Sequence, residues 1–127
     1  MPVFEYAITP IPKPRMTRSD KWMKRKCVMQ YWAFKDEINS LKVRVNPDGC
    51  KITFVLPMPE SWSKKKKTDM NGQPHRQKPD VDNLIKALCD ALYDDDAHVW
   101  NIHISKVWGT QGMIIIEPME EVSHGRN

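Results

Sequence analysis

The sequence predicts an α+β fold: a single small domain in which a mixed β-sheet of about four strands packs with two main helices. Three observations carry that expectation. Four short stretches are rich in β-branched and aromatic residues or alternate apolar with polar positions, which is strand behaviour. Two longer stretches free of glycine and proline place apolar residues at helical spacing. The 127 residues, 40% hydrophobic and 28% charged, are enough for one sizeable core, too few for two, and globular rather than disordered in composition. One domain is therefore expected over 1–127, with 119–127 as a flexible acidic tail.

Taken in order, VFEYAIT (Val3 to Thr9) reads as a strand stopped by Pro10, Pro12 and Pro14. The proline-rich run that follows is a stiff loop able to present Lys13, Arg15 and Arg18 to phosphate. Ser19 or Asp20 caps a helix through KWMKRKCVMQYWAFKDEINSLKV, whose Cys27, Val28, Tyr31, Phe34, Ile38 and Leu41 approximate one core-facing stripe. Asn46 to Gly49 form a turn, and KITFVLPMP is a strand ended by Pro57 and Pro59. Ser61 or Ser63 caps a short helix over the four lysines Lys64, Lys65, Lys66 and Lys67, and the remainder up to Asp80 reads as a mobile loop. From Asp80 a second main helix sends Val81, Leu84, Ile85, Leu88 and Leu92 to the core, while Asp82, Lys86 and Asp90 step by four along an adjacent face. HVWNIHISKVWG alternates, with Trp100, Ile102 and Ile104 on its buried side. MIIIEP closes the order as a strand paired with its predecessor in a hairpin.

Charge narrows the class of partner. The net charge is +4 and the pI about 9.0, with basic residues concentrated in 13–26 and 64–78 and acids in 80–96 and 117–121. Basic segments flanking an acidic centre suit a polyanion held around a metal-binding cluster. Either basic run alone reads as solvated surface. Three widely spaced cysteines without a C-x-x-C pair argue for reduced thiols and against a disulfide framework or structural zinc. Charge and proline interrupt the first twenty positions, unlike a signal peptide, and no apolar run reaches membrane-spanning length. A soluble, cytoplasmic protein is expected, with no membrane partner and no small-molecule cofactor.

The chemistry concentrates in the stretch from Lys78 to Val99. Magnesium prefers oxygen ligands and is often held by only a few carboxylates, leaving room for water and substrate phosphate. Asp80 in a helix cap and Asp82 in the first turn suit that role, with a third ligand from Asp94, Asp95 or Asp96. A purely structural account makes Asp80 the N-cap, Asp82 a complement to the helix dipole and Asp94 to Asp96 a solvated turn. Lys86, one turn beyond Asp82, either neutralises a phosphate or forms an i,i+4 ion pair with Asp82. DDDAHVWNIHIS lacks the central glycine and terminal glutamate of a calcium-binding EF-hand loop. The histidines are not at zinc spacing with any cysteine, and Cys89 is placed to pack.

KPDVDNLIKALCDAL followed by DDDAHV, supported by PIPKPRMTRSDKW near the start and PHRQKPD before the central motif, resembles the RusA-type Holliday junction resolvases, phage-encoded members among them. The resemblance covers most of the chain. It implies a homodimeric, Mg²⁺-dependent endonuclease that binds four-way DNA junctions and nicks two strands symmetrically, in recombination and repair, in a bacterial or phage-infected cell. Position by position, the family's metal-binding aspartates fall on Asp80, Asp82 and Asp96, and its essential lysine on Lys86. Asp96 is preferred as the second acid of a pair preceding a small residue, Ala97. The extra Asp94 and a shorter link from Asp90 keep Asp95 as the alternative third ligand. Lys13, Arg15, Arg18, Lys64 to Lys67, Arg76 and Lys78 are the residues expected to hold the DNA backbone. The rival expectations are a non-catalytic DNA-binding accessory protein and a broader nuclease of flaps and forks.

Overall fold

Alternation marks one of the two inner strands of the sheet. In the computed structural model, which describes residues 3–15, 25–46, 48–92 and 99–119, the elements run β1 (Phe4–Tyr6), α1 (Lys26–Ser40), β2 (Cys50–Pro57), α2 (Lys64–Met70), α3 (Val81–Leu92), β3 (Ile102–Gly109) and β4 (Met113–Pro118). Cys50, Ile52, Phe54 and Leu56 of β2 are all buried, every second residue. A strand with so complete an apolar face gains most from neighbours on both edges, and β2 has them. The order is β1-β4-β2-β3, with β2 and β3 parallel and the other two pairings antiparallel. The expected mixed four-stranded sheet packed with two main helices is the observed architecture.

The expected β3–β4 hairpin is not. β4 pairs with β2 and β1, so the chain leaving β3 passes the end of β2 before turning back. Gly112 makes that passage possible: a Cβ there would lie 2.5 Å from Thr9 Cα. Short loops between sequential strands favour hairpins, but burial of the Ile114 and Ile116 face against β2 outweighs that local preference.

The core lies between this sheet and helices α1 and α3. Tyr31, Phe34 and Ile38 of α1 and Leu84, Ala87, Leu88 and Ala91 of α3 meet Ile52, Phe54, Ile114 and Ile116. Two details correct the sequence reading of α1. The helix begins at Lys26, with Arg25 as its extended N-cap residue, while Ser19 and Asp20 lie outside the described residues. It stops at Ser40, where the Lys42 N–H donates to Asn39 O and the Val43 N–H to Ile38 O, both at 3.2 Å. This is a Schellman stop with Lys42 at φ 54°, a left-handed position usually taken by glycine. Val43 and Ile38 are both buried and supply the accompanying apolar contact. Cys27 and Leu41, flanking the true stripe, are exposed.

In α3 the buried face is rotated toward small residues, so Val81 is 36% exposed and the stripe is completed by Ala87, Cys89 and Ala91. Close packing of α3 on α1 is what two alanines on one face permit. Trp100, expected inside, is 72% exposed. It precedes β3, and its Nε1–H donates to Asp48 Oδ1 at 2.9 Å. No helix among the described residues is long and apolar enough to cross a membrane.

Candidate active site

The segment between α2 and α3 places the acidic motif. Ser63 caps α2, its Oγ accepting the Lys66 N–H at 3.1 Å. After Gly72, at φ 80°, the chain runs beside β3 as a strap and not as the mobile loop its composition predicts. The Gly72 N–H donates to Trp108 O at 2.8 Å, the Trp108 N–H to Gln73 O at 3.0 Å and the His75 N–H to Lys106 O at 3.0 Å. Pro74 forms an antiparallel bridge with Val107. These bonds satisfy the outer edge of β3 at Lys106 and Trp108, which would otherwise present unpaired backbone groups there.

A row of tilted rings joins the strap to the residues before α2. His75 is buried and lies 4.1 Å from the Trp108 ring, which contacts Trp62 at 4.7 Å. Lys66 sits over Trp62 at 4.3 Å. Burial, followed by the positive charge of Lys106, pushes the His75 imidazole below its ordinary value. The Gln77 N–H donates to His75 Nδ1 at 3.4 Å, which suits the neutral ring.

Beyond His75, Lys106 takes over. Its Nζ donates to Gln77 O and, at 2.7 Å, to Pro79 O. Asp80 follows immediately, and its carbonyl accepts the Leu84 N–H at 3.1 Å to open α3. The Asp80 carboxylate is half-exposed and paired with Lys78 at 3.0 Å. Asp82 stands in the first turn of α3, exposed, with Lys86 one turn further on and also exposed. The i,i+4 ion pair between them does not form, and neither side chain has a hydrogen-bonding or ionic partner among the described residues.

Asp90, third on that face, is placed differently. It accepts the Tyr31 hydroxyl at 2.9 Å and pairs with Lys13, and the Lys13 N–H donates to Asn83 O at 3.3 Å. Lys35 lies over the Tyr31 ring at 5.4 Å. Burial alone raises the Asp90 carboxyl, but hydrogen bonds from Lys13 and Tyr31 and the charges of Lys13 and Lys35 outweigh it and hold the group below the usual carboxylate range. Burial, then Asp90 itself, pushes the Tyr31 hydroxyl far up.

Of the basic residues singled out by sequence, Lys64, Lys65, Lys66, Arg76, Lys78 and Arg15 are exposed, Lys67 is half-buried and Lys13 is committed to Asp90. Arg18 and Asp94, Asp95 and Asp96 lie outside the described residues. Among the described residues no group of three or more His, Cys, Asp or Glu side chains converges on one point. The donors at hand are the carboxylates of Asp80 and Asp82. Their hard oxygens fit Mg²⁺, which keeps several waters and needs few protein ligands.

Lys106 is not among the residues to which the sequence draws attention. A signal was present: it follows Ile102 and Ile104 at a spacing of two, so the buried face of β3 continues through a lysine and then Trp108.

The family model described as Endodeoxyribonuclease RusA matches residues 5–117. The chain belongs to the RusA endodeoxyribonuclease family. Nucleases of the RusA family hydrolyse phosphodiester bonds, act on branched DNA junctions and are generally dependent on a divalent metal. An uncharacterised Bacillus subtilis protein, YqaN, is 34% identical over 73 residues, 51% of each chain. The chain thus spans about half the length of that curated relative.

Proposed function

We propose that this protein is a Mg²⁺-dependent endodeoxyribonuclease that resolves four-way DNA junctions by paired, symmetric nicks in recombination and repair. The observation that carries the reading is the face of α3 in which Asp82 and Lys86 stand one turn apart, exposed and without an ionic partner among the described residues, directly after the half-exposed Asp80. Structural acids and lysines at this spacing normally neutralise each other. Here no described residue takes up either charge, which leaves both for a metal and a phosphate.

Asp80 and Asp82 are the residues of the described chain that would hold Mg²⁺, with Asp96, or alternatively Asp95, as the third ligand that the family resemblance implies. When bound, the ion supplies water activation and neutralisation of charge at the scissile phosphate. Lys86 contributes a compact positive charge toward the same phosphate. Lys78, ion-paired to Asp80 and 85% exposed at its side chain, can exchange that carboxylate for a DNA phosphate. Lys64 to Lys67 on α2, joined to the strap through Trp62 and Trp108, together with Arg76, Arg15 and Arg18, position the backbone without reading sequence. Symmetric nicking of a two-fold substrate calls for two sites, so the active form is a homodimer.

The test compares a synthetic four-way junction with flap, fork and linear duplex substrates under one Mg²⁺ condition. Preferential paired cleavage of the junction by the wild type is expected, with Asp82→Asn losing cleavage while retaining junction binding. Equal cleavage of flaps and forks favours the broader branched-DNA nuclease. Wild-type rates in Asp82→Asn remove the metal-site assignment, and binding without metal-dependent nicking in the wild type leaves the accessory-protein reading. Sedimentation showing only a 14.9 kDa species at micromolar concentration overturns the dimer.

A further inference from the structure

We propose that Lys106 is a positioning residue of this active site: by clamping the carbonyls of Gln77 and Pro79 it sets the backbone that delivers the Asp80 carboxylate to its metal. The inference rests on the reading of Asp80 as a metal ligand.

β3 carries a charge where its pattern calls for an apolar side chain. Its inward face runs Ile102, Ile104, Lys106, Trp108, and the two isoleucines pack against the core. A lysine on such a face costs desolvation energy unless its ammonium is fully engaged. Lys106 finds no carboxylate among the described residues. Its donors go instead to two main-chain oxygens two residues apart, Gln77 O and Pro79 O.

The second of these oxygens belongs to the peptide plane that contains the Asp80 nitrogen. Holding it fixes the orientation of the Pro79–Asp80 plane, and hence the direction in which the Asp80 side chain leaves the backbone. The main chain of the same residue holds His75, through the bond from the His75 N–H to Lys106 O. Lys106 therefore grips the strap at both ends of the run from His75 to Pro79, from a rigid strand. A carboxylate on a connecting segment is imprecise unless its backbone is held, and among the described residues no other group of β3 hydrogen-bonds to residues 77–79. A purely loop-closing role would affect stability alone; a positioning role changes metal affinity.

The experiment uses the full chain with Lys106→Met, Lys106→Arg and Asp80→Asn. Mn²⁺ binding is measured without DNA by electron paramagnetic resonance. Single-turnover junction cleavage is then followed against metal concentration, with junction affinity and melting temperature as controls. Lys106→Met is expected to weaken Mn²⁺ binding about 10-fold or more, the range seen when groups supporting a metal ligand are lost. It slows cleavage at low metal, with recovery at high metal and unchanged junction affinity. Lys106→Arg, which retains paired N–H donors, recovers most of the Mn²⁺ affinity. If Lys106→Met does not fold, Lys106→Thr, a strand-compatible side chain too short to reach either carbonyl, is measured in its place against the same expectation. Unaltered Mn²⁺ affinity and metal dependence in the Lys106 variant, alongside their loss in Asp80→Asn, overturn the role of Lys106 and leave the site intact. Wild-type Mn²⁺ binding in Asp80→Asn overturns the reading of Asp80 itself.

Discussion

Asp82 and Asp90 occupy the same face of the same helix, two turns apart, yet their surroundings have opposite consequences. Asp90 receives a hydroxyl from α1 and an ammonium from the N-terminal loop, so its charge is spent on holding three segments together. Asp82 and Lys86 receive nothing from the described chain, although each has an opposite charge within reach of an i,i+4 contact. One carboxylate is engaged because the fold brings it partners. The other has none among the described residues, and the proposed metal role rests on that difference.

Substitution separates the two ends of the helix. The largest effect is expected at the open end, where Asp82→Asn or Lys86→Ala lowers junction cleavage by about 10²-fold or more with little change in melting temperature. Asp90→Ala should reverse that pattern. It removes the acceptor of the Tyr31 hydroxyl and the partner of Lys13, both partly buried, at a cost of roughly 1–2 kcal/mol in denaturant unfolding, with cleavage close to wild type. If Asp90→Ala abolishes cleavage without loss of stability, the division between the two ends is wrong.

Acid sharpens the comparison further. His75 titrates lower in the folded chain than when unfolded, so folding binds fewer protons. The stability it contributes is present above its unfolded value of about 6.5 and is lost as pH falls below it. Asp90 has the same sign, but its contribution is lost only as pH falls below about 4. Melting temperature should therefore drop in two stages, and His75→Gln should remove the first while leaving the second. The smallest effect is expected remote from both: Lys42→Gly, which relieves a left-handed lysine at the end of α1, should stabilise the protein by about 1 kcal/mol.

Much of this architecture was legible in the residues. The run KITFVLPMP, bounded by a turn and two prolines, located a strand, and helical spacing from Val81 to Leu92 located a main helix, because composition and side-chain periodicity report on burial. The strap over Gly72 to Pro79 was not legible. Its glycine, prolines and basic residues are those of a mobile loop, and what holds it down, backbone bonds to β3, the Trp108 ring and the Lys106 ammonium, comes from residues about thirty positions away that local pattern does not connect to it. The end of α1 was also hidden, since the chain stops there with lysine where glycine is the usual sign.

The sequence by itself determined which residues carry charge to the start of α3, and at what spacing, because a helix converts sequence separation into direction. It also determined the family, through a motif whose order survives translation into any numbering. Tertiary structure alone decided that β4 inserts between β1 and β2, that Asp90 is consumed by Tyr31 and Lys13, and that Lys106 reaches the backbone beside Asp80. Each of these joins residues far apart in the chain, and such contacts are set by competition for burial and for hydrogen-bond partners across the whole fold, which local pattern does not encode.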